Sequence, residues 1–171
     1  MTTASSSKML ALLALLLGFA AISIAWGFQL IGGYVPCKLC LEQRVPFYVG
    51  LALIVFALLL MARGRLRLAG SLLVLVALVF AYSAGLGAYQ AGAEWQFWAG
   101  PSDCGGGNLG PASASNMLSA LKSMRVISCT EASLRFLGLS FAGWNFVASN
   151  GLVILAAASA VLSFKARGRN A

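Results

Sequence analysis

The sequence predicts an all-α membrane protein, an antiparallel bundle of four transmembrane helices with cysteine-bearing loops at one end. Of its 171 residues, 60% are hydrophobic and only 9% are charged, against roughly 45–50% and about 25% in soluble domains. Four stretches are each long and apolar enough to cross a bilayer, which takes about 20 residues. All four cysteines lie in two of the three connections between these stretches.

The predicted spans cover residues 9–31, 45–62, 68–91 and 142–164, and none of them contains Lys, Arg, Asp or Glu. Lys8 precedes the first span as it would a signal peptide, but the apolar core is longer than the usual 7–15 or so residues and ends without a clear cleavage site. We therefore expect a retained span. The length predicts one integral membrane domain over residues 1–171, with outer loops at about 32–44 and 92–141.

Charge predicts the orientation. The chain ends and the short second link carry seven basic residues and no acidic one: Lys8, Arg63, Arg65, Arg67, Lys165, Arg167 and Arg169. The two cysteine-bearing loops mix five basic residues with all four acidic ones. The positive-inside rule then puts both termini in the cytoplasm and the cysteines outside, which in a bacterium is the periplasm, where disulfides persist. The basic residues are thus topology signals and partners of the lipid bilayer, and no nucleic acid is expected to bind.

Composition also excludes several kinds of chemistry. The chain has no histidine and only four acidic residues, which argues against Ser-His catalysis, histidine-bound metal and carboxylate-rich cation sites. Without a charge in the spans, the usual relay of a proton-coupled transporter is missing. The polar span residues are expected to form interhelical hydrogen bonds instead. They are Tyr82, Gln90, Asn145 and Asn150.

The long outer loop has three distinct parts. Aromatic residues over 94–98 are typical of a membrane interface. Residues 100–108 are rich in glycine and turn-forming residues. Residues 115–125 carry an apolar stripe at helical spacing, which predicts a short amphipathic helix, either on the membrane surface or packed on the other loops.

The cysteines carry the candidate chemistry. Cys37 and Cys40 form a C-x-x-C, a spacing that serves both redox dithiols and metal sites. Zinc is disfavoured because the other two cysteines stand 25 residues apart and histidine is absent. Two structural disulfides remain an alternative. Against them, Cys104 precedes three glycines, and a C-x-x-C ring gains little from loop closure.

Arg44 lies four residues after Cys40, at the start of the second span. If the helix has begun at Cys40, both side chains share a face and the guanidinium favours the Cys40 thiolate. The alternative is a long side chain anchored among lipid headgroups. Pro46 leaves the start of the helix ambiguous.

Together these features resemble the DsbB family of disulfide bond formation proteins, along essentially the whole chain. The residues that carry the resemblance are Pro36-Cys-x-x-Cys40-x-x-Gln43-Arg44, Trp98 with Gly100-Pro101 before Cys104, and Phe136 to Ser140 with Trp144-Asn145 after Cys129.

The resemblance implies a quinone-dependent thiol oxidoreductase of the bacterial inner membrane that re-oxidises a periplasmic DsbA-like thiol oxidase. Cys104 would accept attack by the partner's thiolate, with Cys129 as its disulfide partner. Electrons would pass to Cys37 and Cys40, and Cys40 would meet ubiquinone or menaquinone as a thiolate, assisted by Arg44.

Gln90 departs from the family pattern. The resemblance places Gln90 near the quinone head, where relatives often carry histidine or another basic residue, and glutamine donates a hydrogen bond but no charge. Two other classes stay open at this point. One is a VKOR-like quinone-linked thiol oxidoreductase, which the second cysteine pair in the outer loop disfavours. The other is a non-enzymatic transport or assembly protein with structural disulfides.

Overall fold

A computed structural model describes residues 3–100, 125–126, 132 and 134–168 of the chain. Five helices appear in the described part: α1 (Thr3–Leu30), α2 (Lys38–Glu42), α3 (Val45–Ala62), α4 (Leu66–Glu94) and α5 (Phe141–Gly168). Four two-residue strands accompany them: β1 (Tyr34–Val35), β2 (Arg125–Val126), β3 (Arg135–Phe136) and β4 (Leu139–Ser140).

The predicted four-helix membrane fold is confirmed, because four helical segments of the described chain are long and apolar enough to cross a membrane. α3 coincides with its predicted span, whereas α1, α4 and α5 extend beyond theirs. The added residues at the start of α1 and the end of α5 are mostly polar or charged, including Lys8, Lys165 and Arg167, as helix ends that reach the headgroup region are. The short link between α3 and α4, together with the packing of α5 against both α1 and α4, gives an antiparallel bundle.

Many small residues lie in the interior of the bundle beside a few large ones such as Phe80 and Leu152, while many other large side chains face outward. Leu16, Phe19, Leu78 and Ile154 are 63% to 67% exposed. Six alanines are buried where the helices meet: Ala11, Ala14, Ala57, Ala69, Ala156 and Ala160. Lipid tails are as apolar as leucine, so helices gain little by hiding leucine and more by close backbone approach. The arrangement therefore suits a bilayer rather than water.

Glycine allows the closest of these approaches. A Cβ atom on Gly87 would lie 2.9 Å from the backbone nitrogen of Phe146 and 3.1 Å from the carbonyl oxygen of Ala142. Both atoms belong to α5, which shares its most extensive interface with α4. Since backbone atoms cannot rotate away, only glycine fits at position 87.

Buried hydroxyl groups join the first and last helices at one end of the bundle. The Ser7 hydroxyl donates to the carbonyl oxygen of Ser159 at 2.8 Å, and the Ser159 hydroxyl donates to that of Ser7 at 2.8 Å. The start of α1 therefore lies beside the end of α5, at the same end as the short link between α3 and α4. The opposite end holds α2 and is called here the cysteine end.

Short strands tie the outer segments to the cysteine end. β1 pairs in parallel with β2, which brings the segment before Cys37 next to residues of the long outer loop. β3 and β4 form a hairpin through Leu137 and Gly138, both with positive φ, as a two-residue turn requires. Of the helix predicted over residues 115–125, the structure describes only Arg125, which lies in β2; the rest is outside the described residues.

We expect Gly87→Ala to destabilise the bundle by about 1–3 kcal/mol, because the added methyl group forces α4 and α5 apart. Gly85→Ala is the matched control on the same helix, since a Cβ atom there meets nothing within 4 Å. Alanine favours a helix over glycine by about 1 kcal/mol, so this control should be neutral or stabilising. Thermal unfolding in detergent measures both variants. Equal melting temperatures for the two would contradict the packing argument.

Candidate redox site

The two cysteines of the C-x-x-C lie in contact at the start of α2. Cys37 is the N-cap residue in an extended conformation, and its sulfur accepts a hydrogen bond from the backbone N–H of Cys40 at 3.3 Å. Because Cys40 lies in the first turn of the helix, its side chain returns toward Cys37. The two Sγ atoms are 2.7 Å apart, in contact but not joined as a disulfide. The pair is thus placed to exchange between dithiol and disulfide.

The two sulfurs have different surroundings. Cys37 is 2% exposed and packs against Leu39, whereas Cys40 is only half-buried. The hydrogen bond with Cys40 and burial both raise the pKa of the Cys37 thiol. Only a thiolate attacks a disulfide or an electron acceptor. These contacts thus favour the neutral thiol at Cys37, and Cys40 is the more exposed of the two residues.

Side-chain amides from two other segments lie behind Cys40. The Gln90 amide nitrogen on α4 donates to Cys40 Sγ at 3.6 Å. Its oxygen accepts from Gln43 Nε2 at 2.6 Å, and Gln43 Oε1 accepts from Asn145 Nδ2 on α5 at 2.7 Å. Gln90 is 1% exposed and Gln43 is 6% exposed. An amide N–H directed at sulfur favours the charged thiolate over the neutral thiol.

Glu94 completes this buried polar group. It lies one turn after Gln90 on α4, and its Oε1 accepts from Gln90 Nε2 at 3.5 Å. Oε2 of Glu94 is buried, and no residue of the described chain donates a hydrogen bond to it. The two N–H bonds of Gln90 are thus divided between Cys40 and Glu94. Of the two polar atoms of the Gln90 amide, Nε2 is the closer to Cys40 Sγ, and Oε1 lies 4.0 Å from it.

Arg44 faces the first helix. α2 ends at Glu42 and α3 begins at Val45, so Cys40 and Arg44 do not share a continuous helix. The guanidinium donates to Gln29 Oε1 at 2.5 Å and to the carbonyl oxygen of Ala25 at 3.4 Å. It also lies 5.3 Å from the ring centre of Trp26. Within the described part of the chain, no hydrogen bond joins Arg44 to Cys40.

An apolar groove begins beside Arg44. It has a volume of about 550 Å³ and runs between α1 and α3. Trp26 lines the groove and also lies under the Arg44 guanidinium, and its indole N–H donates to the Tyr48 hydroxyl at 2.9 Å. The groove is therefore mostly apolar, and the Arg44 guanidinium lies beside Trp26 at its rim. A guanidinium has five N–H donors, so Arg44 retains donors beyond the two hydrogen bonds described.

The structure brings together three of the six site residues proposed from sequence. Cys37, Cys40 and Gln90 are in contact, Arg44 lies nearby against α1, and Cys104 and Cys129 are outside the described residues. The predicted interhelical hydrogen bonds are confirmed for Gln90 and Asn145, whereas Asn150 donates within its own helix, to Phe146, at 2.8 Å.

Sequence reasoning did not assign Glu94 or the partners of Gln43. Glu94 was counted only as one of the acidic residues of the outer loop. Its spacing of four from Gln90, at the end of an apolar span, is the signal that points to it, because residues four apart share a helix face. No local pattern links Gln43 to Asn145, which lies 102 residues away.

A family model described as disulfide bond formation protein DsbB matches residues 7–159, most of the chain. Neither a curated protein nor a solved structure matches.

Proposed function

The chain belongs to the DsbB family, and from that premise we propose that it is a thiol:quinone oxidoreductase of the bacterial inner membrane. It is a membrane disulfide bond formation protein by family. The proposal adds that it re-oxidises a periplasmic DsbA-like dithiol oxidase and passes the electrons to membrane quinone. The observation that carries it is the Cys37–Cys40 thiol pair, with the Gln90 amide directed at the sulfur of Cys40.

The chemistry of the pair balances with a quinone acceptor. Oxidation of two thiols to one disulfide releases two electrons and two protons. A quinone held beside Cys40 would accept both the electrons and the protons, and the product would be the quinol. In this proposal Cys40 faces the acceptor, Gln90 stabilises its thiolate, and Cys37 closes the disulfide.

A second cysteine pair serves the soluble partner in this proposal. Cys104 accepts the attack of the partner's thiolate and forms a mixed disulfide, which Cys129 resolves. The glycines after Cys104 support the assignment, because thiol exchange must align three sulfurs in a row. The pairing of β1 with β2 supports transfer between the two pairs, since it joins the segment before Cys37 to the segment before Cys129.

The residues present fit a membrane quinone. The apolar groove between α1 and α3 suits an isoprenoid tail, since both are hydrocarbon. Arg44 at its rim is held in one orientation by Gln29 and by the carbonyl oxygen of Ala25, with N–H donors left for a quinone carbonyl. Cys40 and Gln90 complete the proposed set of quinone-facing residues. Whether ubiquinone or menaquinone binds depends on ring substituents, and both share the carbonyl pair.

We propose that the cysteine end faces the periplasm and that both termini are cytoplasmic, on the charge asymmetry of the sequence. Reporter fusions after Arg65 and at Arg169 should then give a cytoplasmic signal, and a fusion near Gly106 a periplasmic one. Alkaline phosphatase and green fluorescent protein report the two compartments in complementary ways. A periplasmic signal at Arg65 would contradict the orientation.

The proposed activity predicts that purified protein reduces quinone when given a reduced DsbA-like protein. Quinone absorbance and free thiols, followed together, should show one quinone consumed for each disulfide formed in the partner. Cys40→Ser should lower turnover to the uncatalysed rate, because the pair can no longer close. The same assay run with ubiquinone and menaquinone analogues identifies the acceptor. Correctly folded, oxidised protein without turnover on either would contradict the proposal.

The Arg44→Lys variant tests whether Arg44 binds quinone or only anchors its helix among lipid headgroups. Lysine keeps the charge but not the planar fork, so we expect the apparent KM for quinone to rise about tenfold, as loss of roughly 1.4 kcal/mol gives. Arg44→Ala should raise it further. Arg63→Lys, in the exposed link at the opposite end of the bundle, is the matched control. Wild-type quinone kinetics in Arg44→Ala would leave this residue as an anchor only.

A further inference from the structure

Three side-chain amides from different parts of the chain form a line of hydrogen bonds that ends on Cys40. Asn145 on α5 donates to Gln43, Gln43 donates to Gln90, and Gln90 donates to Cys40 Sγ, over 2.7, 2.6 and 3.6 Å. Each amide accepts through its oxygen on one side and donates through its nitrogen on the other. The three amide nitrogens therefore point the same way, toward the sulfur, and Gln90 Oε1 lies 4.0 Å from Cys40 Sγ, where it can accept from the protonated thiol.

Both ends of this amide line have fixed polarity. Asn145 Nδ2 also faces the carbonyl oxygen of Ser83 at 3.4 Å, and a carbonyl oxygen only accepts. The Ser149 hydroxyl lies 3.0 Å from Ser83 Oγ and 3.4 Å from Asn145 Oδ1, and its single proton can be donated to either oxygen. At the far end Gln90 Nε2 faces Glu94 Oε1. If Asn145 or Gln90 turned its amide around, two acceptors would face each other at one end of the line.

Burial strengthens the hydrogen bonds of this amide line. Gln90 and Gln43 are buried, so water does not compete for their hydrogen bonds. Hydrogen bonds in a line polarise one another, and each is stronger in surroundings of low polarity. A remote amide such as Asn145 then contributes to the donor that reaches Cys40.

We propose that Asn145 and Gln43 are positioning residues for the redox thiol. They hold the Gln90 amide with its N–H toward Cys40 and so favour the thiolate at that sulfur. The inference rests on the proposed function, because only a redox pair needs a thiolate there. Within the described residues, Cys37 is the other titratable group of the pair, and Glu94 on α4 faces Gln90. Arg135 of β3 interacts electrostatically with Glu94. The Arg44 side chain is hydrogen-bonded to α1.

The test is the pH dependence of Cys40 alkylation in reduced protein that also carries Cys104→Ser and Cys129→Ser. The rate of modification by iodoacetamide follows the thiolate fraction, and peptide mass spectrometry assigns it to Cys40. Asn145→Leu removes the first donor, and Gln43→Met interrupts the line with a side chain of similar length. For each variant we expect the midpoint to rise by about one pH unit, the order of one hydrogen bond to a charged group.

Asn150→Leu is the matched control, because Asn150 lies on the same helix and, within the described residues, donates only to the carbonyl oxygen of Phe146. Its midpoint should equal that of the wild type. An unchanged midpoint in folded Asn145→Leu or folded Gln43→Met would overturn the proposal, since a purely structural role leaves the thiolate unaffected. If Asn145→Leu does not fold, Gln43→Met alone decides. The assay needs neither quinone nor partner, so its outcome is independent of turnover.

Discussion

The contact between the Gln90 amide and the Cys40 sulfur is the interaction on which the geometry of the cysteine end depends. It exists only if α4 carries Gln90 to the level of α2, while α5 and the turn after α2 supply the amides behind it. Gly87 makes this arrangement possible, because it lets the backbones of α4 and α5 approach at the level of Asn145. The donor to the Cys40 thiol therefore depends on the same contacts that pack α4 against α5.

Burying polar groups between helices costs free energy of desolvation. The positions of such groups therefore indicate which contacts between the helices are specific. Interhelical hydrogen bonds in membrane proteins contribute on average only about 0.6 kcal/mol each, whereas an unsatisfied buried amide costs about 1–3 kcal/mol. The net stabilisation by Gln43, Gln90 and Asn145 is thus small. Breaking one of them costs more, which fixes the relative positions of their helices. The hydroxyl pair of Ser7 and Ser159 does the same at the other end of the bundle.

The sequence predicted the fold and part of the site, and the two predictions rest on different properties of the sequence. The number of helices and the fold follow from the length of each apolar segment, which the sequence shows without any knowledge of how the segments pack. Contact of Cys37 with Cys40 follows from their spacing. The approach of Gln43 to Asn145 could not be predicted, because it depends on the rotation of three helices about their axes, and the spans have no polar stripe to set it. Arg44 shows the same limit: a break between α2 and α3 turns its side chain toward α1, away from the face assumed for a continuous helix.

The most direct measurement of the central claim is the redox potential of the Cys37–Cys40 pair in glutathione buffers, in protein that also carries Cys104→Ser and Cys129→Ser. A donor that stabilises the reduced thiolate makes a pair more oxidising. If Gln90 is that donor, Gln90→Leu should make the pair more reducing by about 30 mV or more, the equivalent of one hydrogen bond to a charged group. Asn150→Leu should leave the potential at the wild-type value. A folded Gln90→Leu variant with the wild-type potential would contradict the claim that the Gln90 amide controls the redox thiol.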